Sequence, residues 1–188
     1  MYLKQLIASK KTVFSLEDLG KIWKIEDKNY LKVVASRLFR RGAILRIRRG
    51  LYALRESYDV FELANKLRSP SYVSMETVLQ KNNVIFQDYG STIFSVSDNT
   101  MLKQVADKSF QYCKVKESVL SNPLGIVSVG QAVVATAERA VCDRIYLSPR
   151  YYFDNLRGLD MKKLVALSKI YENTRVEKEV EELIRNNK

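Results

Sequence analysis

Apolar and polar positions in residues 28–40 follow the period of a helix. Leu31, Val34, Ala35 and Leu38 recur at three- and four-residue spacing, which places them on one face. Asp27 directly precedes this run and is a residue type that caps helix N-termini. The pattern therefore predicts an amphipathic helix that begins after Asp27, buries its apolar face and ends at a turn near residues 41–42.

After this turn the period changes from that of a helix to that of a strand. Leu45 and Ile47 alternate with Arg46 and Arg48, as in a half-buried strand. The dipeptide at residues 49–50, Arg-Gly, then marks a second turn before another apolar run. Residues 45–54 are therefore predicted to form a two-stranded hairpin with arginines at its tip.

Two shorter apolar patterns precede this region. Residues 2–8 and 16–24 are predicted helices, and residues 12–14 an extended segment between them. Ser15 followed by Asp18 is a loose form of the capping box that begins the second helix. Three helices and a hairpin bury little surface, so this unit is expected to depend on the rest of the chain for stability.

Residues 56–57 are predicted to link this unit to a longer mixed region. Ser74 and Thr136 are predicted helix N-caps, and Gly130 with Gln131 a two-residue hairpin turn. The predicted helices of this region are 58–68, 75–81, 137–147, 160–171 and 174–186. The predicted strands are 84–87, 92–96, 109–115, 126–129 and 132–135.

The positive charge of the chain is unevenly distributed. The net charge is +11, and residues 1–55 hold 14 Lys plus Arg against 4 Asp plus Glu. Residues 56–188 hold 18 against 17, so nearly all of the excess lies in the first third. A polyanionic partner explains this asymmetry better than a general requirement for solubility. Together with the helix and hairpin pattern, it predicts a winged helix-turn-helix that binds duplex DNA.

The exposed face of the predicted helix and the hairpin supply the candidate DNA contacts. The N-terminal half of such a helix lies deepest in the major groove. There Asn29 can bond an adenine edge, Arg37 a guanine edge, and Val33 can touch a thymine methyl group. The candidates are Lys28, Asn29, Tyr30, Lys32, Val33, Ser36, Arg37, Arg40, Arg41, Arg46, Arg48 and Arg49.

These candidates are expected to divide into two groups. The arginines from residue 40 onward are expected to meet phosphates or the minor groove, which gives affinity and salt sensitivity but little sequence information. Other interpretations stay open for some of them. Tyr30 could pack against the preceding helix, Arg46 and Arg48 could be solvated hairpin positions, and the helix could be an ordinary amphipathic one.

The residue inventory gives no positive indication of an enzyme. The chain has no histidine, which excludes Ser/His/Asp and Cys/His nucleophile pairs. Glu138 and Asp143 share a predicted helix, but five residues separate them by roughly 140° around its axis. They are better explained by a helix-dipole contact and a salt bridge. No catalytic residue, metal or cofactor is therefore expected.

Two cysteines, Cys113 and Cys142, are too few for a disulfide framework or a zinc site. Each is expected to be a small buried apolar side chain in a reducing compartment. The N-terminal apolar run is too short for a signal peptide, and no segment approaches the length of a membrane span. The protein is therefore expected to be soluble and cytoplasmic.

Three segments in register resemble one known family. They are RGAILRIRRGLYAL (41–54), SYVSMETVLQKNNVI (71–85) and VVATAERAVCDRIYL (133–147). Together they look like the AbiEi antitoxin family of type IV toxin–antitoxin (abortive infection) systems, over residues 1 to about 180. Tyr72, Ser74, Val78 and Leu79 match the family's Tyr-x-Ser-x-x-x-Ala-Leu segment. The third segment matches A-x-x-E-[KR]-A-x-x-D-x-[LI]-Y through Ala135, Glu138, Arg139, Ala140, Asp143, Ile145 and Tyr146.

The chain departs from the family pattern at two places. Relatives often carry His-Gly where this chain has Asn82 and Asn83, and an aliphatic residue where it has Cys142. The resemblance implies an N-terminal winged helix that represses its own operon. It also implies a C-terminal domain that neutralises a nucleotidyltransferase-like toxin, usually encoded beside the antitoxin.

The predicted fold class is α+β. We expect a winged helix-turn-helix DNA-binding domain over residues 1–56 and a mixed α/β antitoxin or interaction domain, ending in helices, over residues 57–188. The expected partners are duplex DNA of its own promoter and the cognate toxin. In an alternative of a different class, the basic N-terminal domain docks an acidic protein and not DNA. The oligomeric state does not follow from the sequence.

Overall fold

The computed structural model describes residues 2–186 and has a mixed α+β architecture. The N-terminal part contains three helices and a small sheet with strand order β1-β3-β2, in which both pairings are antiparallel. Its elements are α1 (Tyr2–Ala8), β1 (Val13–Ser15), α2 (Leu16–Trp23), α3 (Lys28–Arg40), β2 (Leu45–Arg48) and β3 (Leu51–Ala53).

A small hydrophobic core holds these elements together. It combines one face of each helix with side chains from the sheet, and its members are all nearly or fully buried. They are Leu6, Phe14, Leu19, Trp23, Leu31, Val34, Ala35, Ile44 and Tyr52. The apolar stripe predicted for residues 31–38 is therefore the inward face of α3, with Leu38 packed at the edge of this core.

The remaining part is built on a six-stranded mixed sheet with strand order β6-β7-β5-β4-β9-β8. Its pairs β7–β5 and β4–β9 are parallel, and the other pairs are antiparallel. Its strands are β4 (Ser71–Val73), β5 (Thr92–Ser97), β6 (Met101–Val105), β7 (Lys108–Lys114), β8 (Ile126–Val129) and β9 (Ala132–Ala135). Its helices are α4 (Val60–Leu67), α5 (Met75–Lys81), α6 (Glu117–Leu120), α7 (Ala137–Leu147), α8 (Met161–Ser168), continued by a 3₁₀ turn (Lys169–Tyr171), and α9 (Thr174–Asn186).

The predicted strand at residues 84–87 is wrong. Val84 and Ile85 are buried, which explains their apolar character, but their backbone pairs with a loop and not with a strand. The Val84 carbonyl accepts hydrogen bonds from the N–H groups of Asp154 and Asn155 (3.0 and 3.1 Å). The Asp154 carboxylate in turn accepts from the N–H of Phe86 (2.8 Å). This side-chain contact takes the place of a strand partner.

Ser74 occupies the N-cap position of α5, but its side chain does not cap the helix. The predicted cap is wrong because the Ser74 hydroxyl donates instead to the buried carboxylate of Asp143 (2.6 Å). Asp143 also accepts from the hydroxyls of Tyr72 (3.0 Å) and Tyr171 (2.6 Å). The guanidinium of Arg139, one turn earlier on α7, lies 3.5 Å from the same carboxylate.

This buried cluster explains why charged residues occur inside the apolar sheet-packing part of the chain. Arg139 and Asp143 are both fully buried, so each requires the other as a counter-charge. Arg139 also donates to the carbonyls of Val119 and Leu124 (both 2.7 Å), which ties the approach to β8 onto α7. Burial raises the pKa of Asp143, while Arg139 and the three hydroxyl donors oppose that rise.

The N-terminal part is joined to the rest by a junction of apolar and polar contacts. Val13 of β1 and Leu51 of β3 are members of the larger core. The Glu62 carboxylate of α4, only 1% exposed, accepts from the N–H and the hydroxyl of Thr12 (2.8 and 2.6 Å). Thr12 then accepts from the N–H of Asp59 (2.9 Å). These contacts agree with the expectation that the small N-terminal unit depends on the rest of the chain.

Asp18 strengthens this junction while it also begins α2. Its carboxylate accepts from the N–H of Ser15 (2.9 Å), and Ser15 accepts from the N–H of Asp18, so the predicted capping box is complete. The same carboxylate accepts from Lys11 (2.5 Å) and from Lys66 of α4 (2.8 Å). One side chain therefore fixes the start of α2 and its position against α4.

Candidate nucleic-acid interface

The helix α3 begins and ends at well-defined caps. The Asp27 carboxylate accepts from the N–H groups of Asn29 and Tyr30 (2.7 and 3.1 Å), as predicted for an N-cap. At the other end Gly42 has a φ of +66°, and the N–H of Ala43 donates to the Leu38 carbonyl (2.9 Å). This is a Schellman termination, for which glycine is suited because it adopts positive φ without strain.

The face of α3 opposite the core is open to solvent. The apolar candidates on it are substantially exposed, Tyr30 at 50% and Val33 at 44%, and Ser36 is half-buried. The other candidates on α3 and at its C-terminus are exposed: Lys28, Asn29, Lys32, Arg37, Arg40 and Arg41. Tyr30 also interacts with Tyr2 of α1, whose pKa is raised by side-chain hydrogen bonding to Tyr30. The open interpretation of Tyr30 as a packing residue therefore accounts for part of its surface only.

The hairpin presents its arginines on the opposite side from its apolar residues. Leu45 and Ile47 of β2 are half-buried, whereas Arg46 and Arg48 are exposed. Arg49 at the tip is also exposed, and the turn is completed by Gly50 with a φ of +82°. The register of β2 with β3 shifts between Arg46 and Arg48, so the strand carries a bulge there.

An aromatic contact joins the hairpin to α3. The guanidinium carbon of Arg46 lies 5.9 Å from the centre of the Phe39 ring, within the range of a cation–π interaction. Phe39 is 40% exposed and lies beside the apolar stripe of α3, so the apolar period alone assigned it no role. The contact places the arginine-bearing strand next to the C-terminal end of the exposed helix face.

A groove of about 750 Å³ lies between α2 and α3 and was not predicted from the sequence. Four lysines contribute to its lining together with apolar side chains. They are Lys21, Lys24, Lys28 and Lys32. Gly20 allows the close approach of the two helices, since a Cβ there would lie 3.2 Å from the Ile25 carbonyl and 3.3 Å from Leu31. The groove adds positive charge at the N-terminal end of α3.

The inner side of the hairpin rests on the C-terminal part. Ile47 packs against the larger core, of which Leu51 is a member. Lys103 of β6 donates to the Leu67 carbonyl (2.5 Å), and burial, with the charges of Arg48 and Arg68, lowers the pKa of Lys103. The hairpin is therefore braced on one side, and its arginines have a fixed orientation on the other.

The part of the chain described by the structure, residues 2–186, offers little for other chemistry. It holds no group of three or more His, Cys, Asp or Glu side chains arranged to bind a metal ion. Both cysteines are free thiols. Glu138 accepts from the N–H of Asp160 (3.1 Å), and Asp143 belongs to the buried cluster, so these two carboxylates serve separate structural contacts. None of the helices within this range is both long and apolar enough to cross a membrane.

Comparison with known families assigns the N-terminal part to antitoxins that act as transcriptional regulators. Residues 1–55 match the family model described as "Transcriptional regulator, AbiEi antitoxin". The predicted resemblance to the AbiEi family is thereby confirmed on the helices and hairpin of the candidate interface. A comparison with curated proteins gave no match.

Proposed function

We propose that this protein is a sequence-specific DNA-binding repressor of its own promoter and the antitoxin of a type IV toxin–antitoxin system, acting in the cytoplasm. Residues 1–56 form a winged helix-turn-helix in this proposal, with α3 as the recognition helix and β2–β3 as the wing. Residues 57–188 form the domain that acts against a nucleotidyltransferase-like toxin. The AbiEi match over residues 1–55 supports the regulator and antitoxin roles together.

The observation that carries the DNA-binding proposal is the continuous cationic surface of α3 and the wing. The Arg46–Phe39 contact joins its two parts, and every candidate residue on it is exposed or half-buried. The N-terminal half of α3 supplies Asn29, Val33 and Arg37 to base edges in the major groove. The wing arginines supply phosphate contacts, which position the protein without reading sequence.

The test is the salt dependence of binding to promoter DNA, measured by fluorescence anisotropy beside a scrambled duplex of equal length. If roughly 6–10 phosphates are neutralised, the logarithm of the binding constant falls against the logarithm of salt with a slope near that number. The promoter should bind more tightly than the scrambled duplex. A slope near zero, or equal affinity for both duplexes, contradicts the proposal, and the latter result together with binding to an acidic protein supports the docking alternative.

A variant set with a matched control locates the contact surface. Changing Arg37, Arg46, Arg48 and Arg49 to Gln removes four positive charges from α3 and the wing. The control removes four exposed positive charges elsewhere, by changing Arg157, Lys162, Lys169 and Lys178 to Gln. We expect the first variant to reduce the salt slope by about 3–4, at about 0.9 for each lost phosphate contact, and the control to reduce it little. Equal losses in both variants contradict the proposed surface.

The antitoxin role requires a separate test in cells. The gene beside this one should encode a nucleotidyltransferase-like toxin whose expression stops growth. Co-expression of this chain should restore growth, and the variant with four changes in α3 and the wing should still do so, because neutralisation is assigned to residues 57–188. Failure of the unaltered chain to restore growth contradicts the antitoxin role and leaves the DNA-binding result unaffected.

A further inference from the structure

The two edges of the six-stranded sheet differ in how they are protected. Unpaired edge strands can add a strand from another chain, and proteins commonly block them with lysines or inward-pointing charges. Edge strand β6 carries such a device, since Lys103 points inward to the Leu67 carbonyl. Edge strand β8, with the sequence Ile-Val-Ser-Val, carries no charge.

The uncharged character extends well beyond β8. Residues 118–137 contain no Asp, Glu, Lys or Arg, although charged residues make up 28% of the chain. Four of the large apolar side chains that the structure exposes lie within residues 124–133. They are Leu124 (49%), Val127 (43%), Val129 (45%) and Val133 (37%). A contiguous exposed apolar strip of this kind is characteristic of an interaction surface.

The hydrogen-bond pattern of the β8–β9 hairpin shows which backbone groups face outward. Val129 pairs with Ala132 across the two-residue turn, and Ser128 lies opposite Val133. Val133 uses its N–H and carbonyl toward Asn65 of α4, on the side away from β8. Because outward and inward pairs alternate along an antiparallel ladder, the N–H and carbonyl of Ser128 point to the open edge.

The strand is held in place by contacts on its inner side. The Arg139 guanidinium donates to the Leu124 carbonyl, the N–H of Thr136 donates to the Gly125 carbonyl (2.8 Å), and the N–H of Ile126 donates to the Pro123 carbonyl (3.1 Å). The edge is therefore already ordered before any partner arrives, which reduces the entropy cost of adding a strand.

We propose that β8 pairs antiparallel with β8 of a second copy of this chain, about a two-fold axis at Ser128. In this register Ser128 faces Ser128 of the second copy, and the two residues exchange both backbone hydrogen bonds. Val127 then faces Val129 of the second copy, and the same pair repeats across the axis. An isologous contact requires this self-complementarity, and β-branched cross-strand pairs stabilise it.

The charge of the chain favours a second copy at this edge. Two molecules that each carry +11 repel one another over most of their surfaces. A strip of twenty uncharged residues with exposed valines is the region where they can meet without bringing like charges together. The pairing is independent of the DNA-binding proposal, because no residue of the N-terminal part takes part in it.

Sedimentation velocity of the full chain over a wide concentration range tests the proposal. We expect a monomer–dimer equilibrium that Val129→Lys abolishes and that the matched change on the other edge, Leu102→Lys, leaves intact. Leu102 is 63% exposed on β6, so both variants add one lysine to an exposed edge position. Circular dichroism and urea midpoints confirm that both variants fold. A chain that is monomeric at every concentration, or a Val129→Lys variant that still dimerises, overturns the proposal.

A disulfide experiment tests the register. The Cα atoms of two directly opposed hydrogen-bonded residues lie about 5.5 Å apart, which a disulfide can span. In a Cys113→Ser background, Ser128→Cys should therefore form a linked dimer under mild oxidation, whereas Gln104→Cys on β6 should not. No linkage through residue 128, or equal linkage through both positions, overturns the two-fold register. If residue 128 links only to a toxin added to the mixture, the edge belongs to that partner and the proposal fails.

Discussion

The contact between Asp18 and α4 gives a quantitative prediction about the junction of the two parts. Asp18→Asn neutralises a side chain that is 9% exposed and that accepts from Lys11, Lys66 and Ser15. A hydrogen bond to a charged group contributes about 1.5–3 kcal/mol. Both lysines keep about a quarter of their surface in water (28% and 26%), which reduces the ionic part. We therefore expect a loss of about 2–3 kcal/mol in the free energy of unfolding at pH 7.

The pH dependence of this loss follows from the pKa of Asp18. Burial raises that pKa, but hydrogen bonds from Lys11, Lys66 and Ser15 outweigh burial and hold it well below its usual range. A carboxylate with a depressed pKa in the folded state stabilises the protein above its unfolded pKa of about 3.9. That contribution is lost as the pH falls through the folded-state pKa. The difference between the unaltered chain and Asp18→Asn should therefore shrink below about pH 4.

Urea denaturation followed by circular dichroism between neutral and acid pH measures both quantities. Glu17→Gln is the matched control, because Glu17 neighbours Asp18 on α2 but forms an exposed pair with Lys21 (2.6 Å). We expect that control to change stability little, since exposed ion pairs contribute little. The reasoning is refuted if Asp18→Asn costs no more than the control, or if its cost stays constant down to the lowest pH at which the chain folds.

The buried cluster and the thiols give two further predictions. Asp143→Ala leaves the fully buried Arg139 without a counter-charge, so the free energy of unfolding in urea should fall by about 3–5 kcal/mol, and Asp143→Asn should cost less; equal stability of the Ala variant would refute the ionic role. Burial raises the pKa of Cys142, whose side chain is fully inaccessible, so a thiol reagent should modify only the half-buried Cys113 in the folded chain and both cysteines in urea. Two fast-reacting thiols under native conditions would contradict this assignment.

The elements that could be predicted from the sequence are those specified by nearby residues. The helix α3 follows from a local apolar period and from a cap at Asp27 that bonds two and three residues ahead. The hairpin of β8 and β9 follows from a glycine turn between two apolar runs. In each case the interactions that determine the structure lie within a few residues, so the pattern contains the necessary information.

The features that were missed or wrong depend on contacts distant along the chain. Thr12 meets Glu62 fifty residues later, and no local pattern indicates that pairing. Ser74 has the composition of a cap, yet its hydroxyl is taken by Asp143, 69 residues away. The exposure of Phe39 acquires meaning only when folding brings Arg46 over its ring. The candidate DNA contacts could be named from the sequence, but their relation to the groove and to the C-terminal part could not.

The double use of Asp18 has a consequence for how this molecule can be recombined. A chimera that transplants residues 1–56 onto an unrelated protein would carry the helix start but lose Lys66, Glu62 and the apolar cover of Val13 and Leu51. Such a graft would need matching residues at the new boundary to keep the hairpin upright. Exchange of reading heads among relatives is therefore restricted to donors and recipients that share this seam.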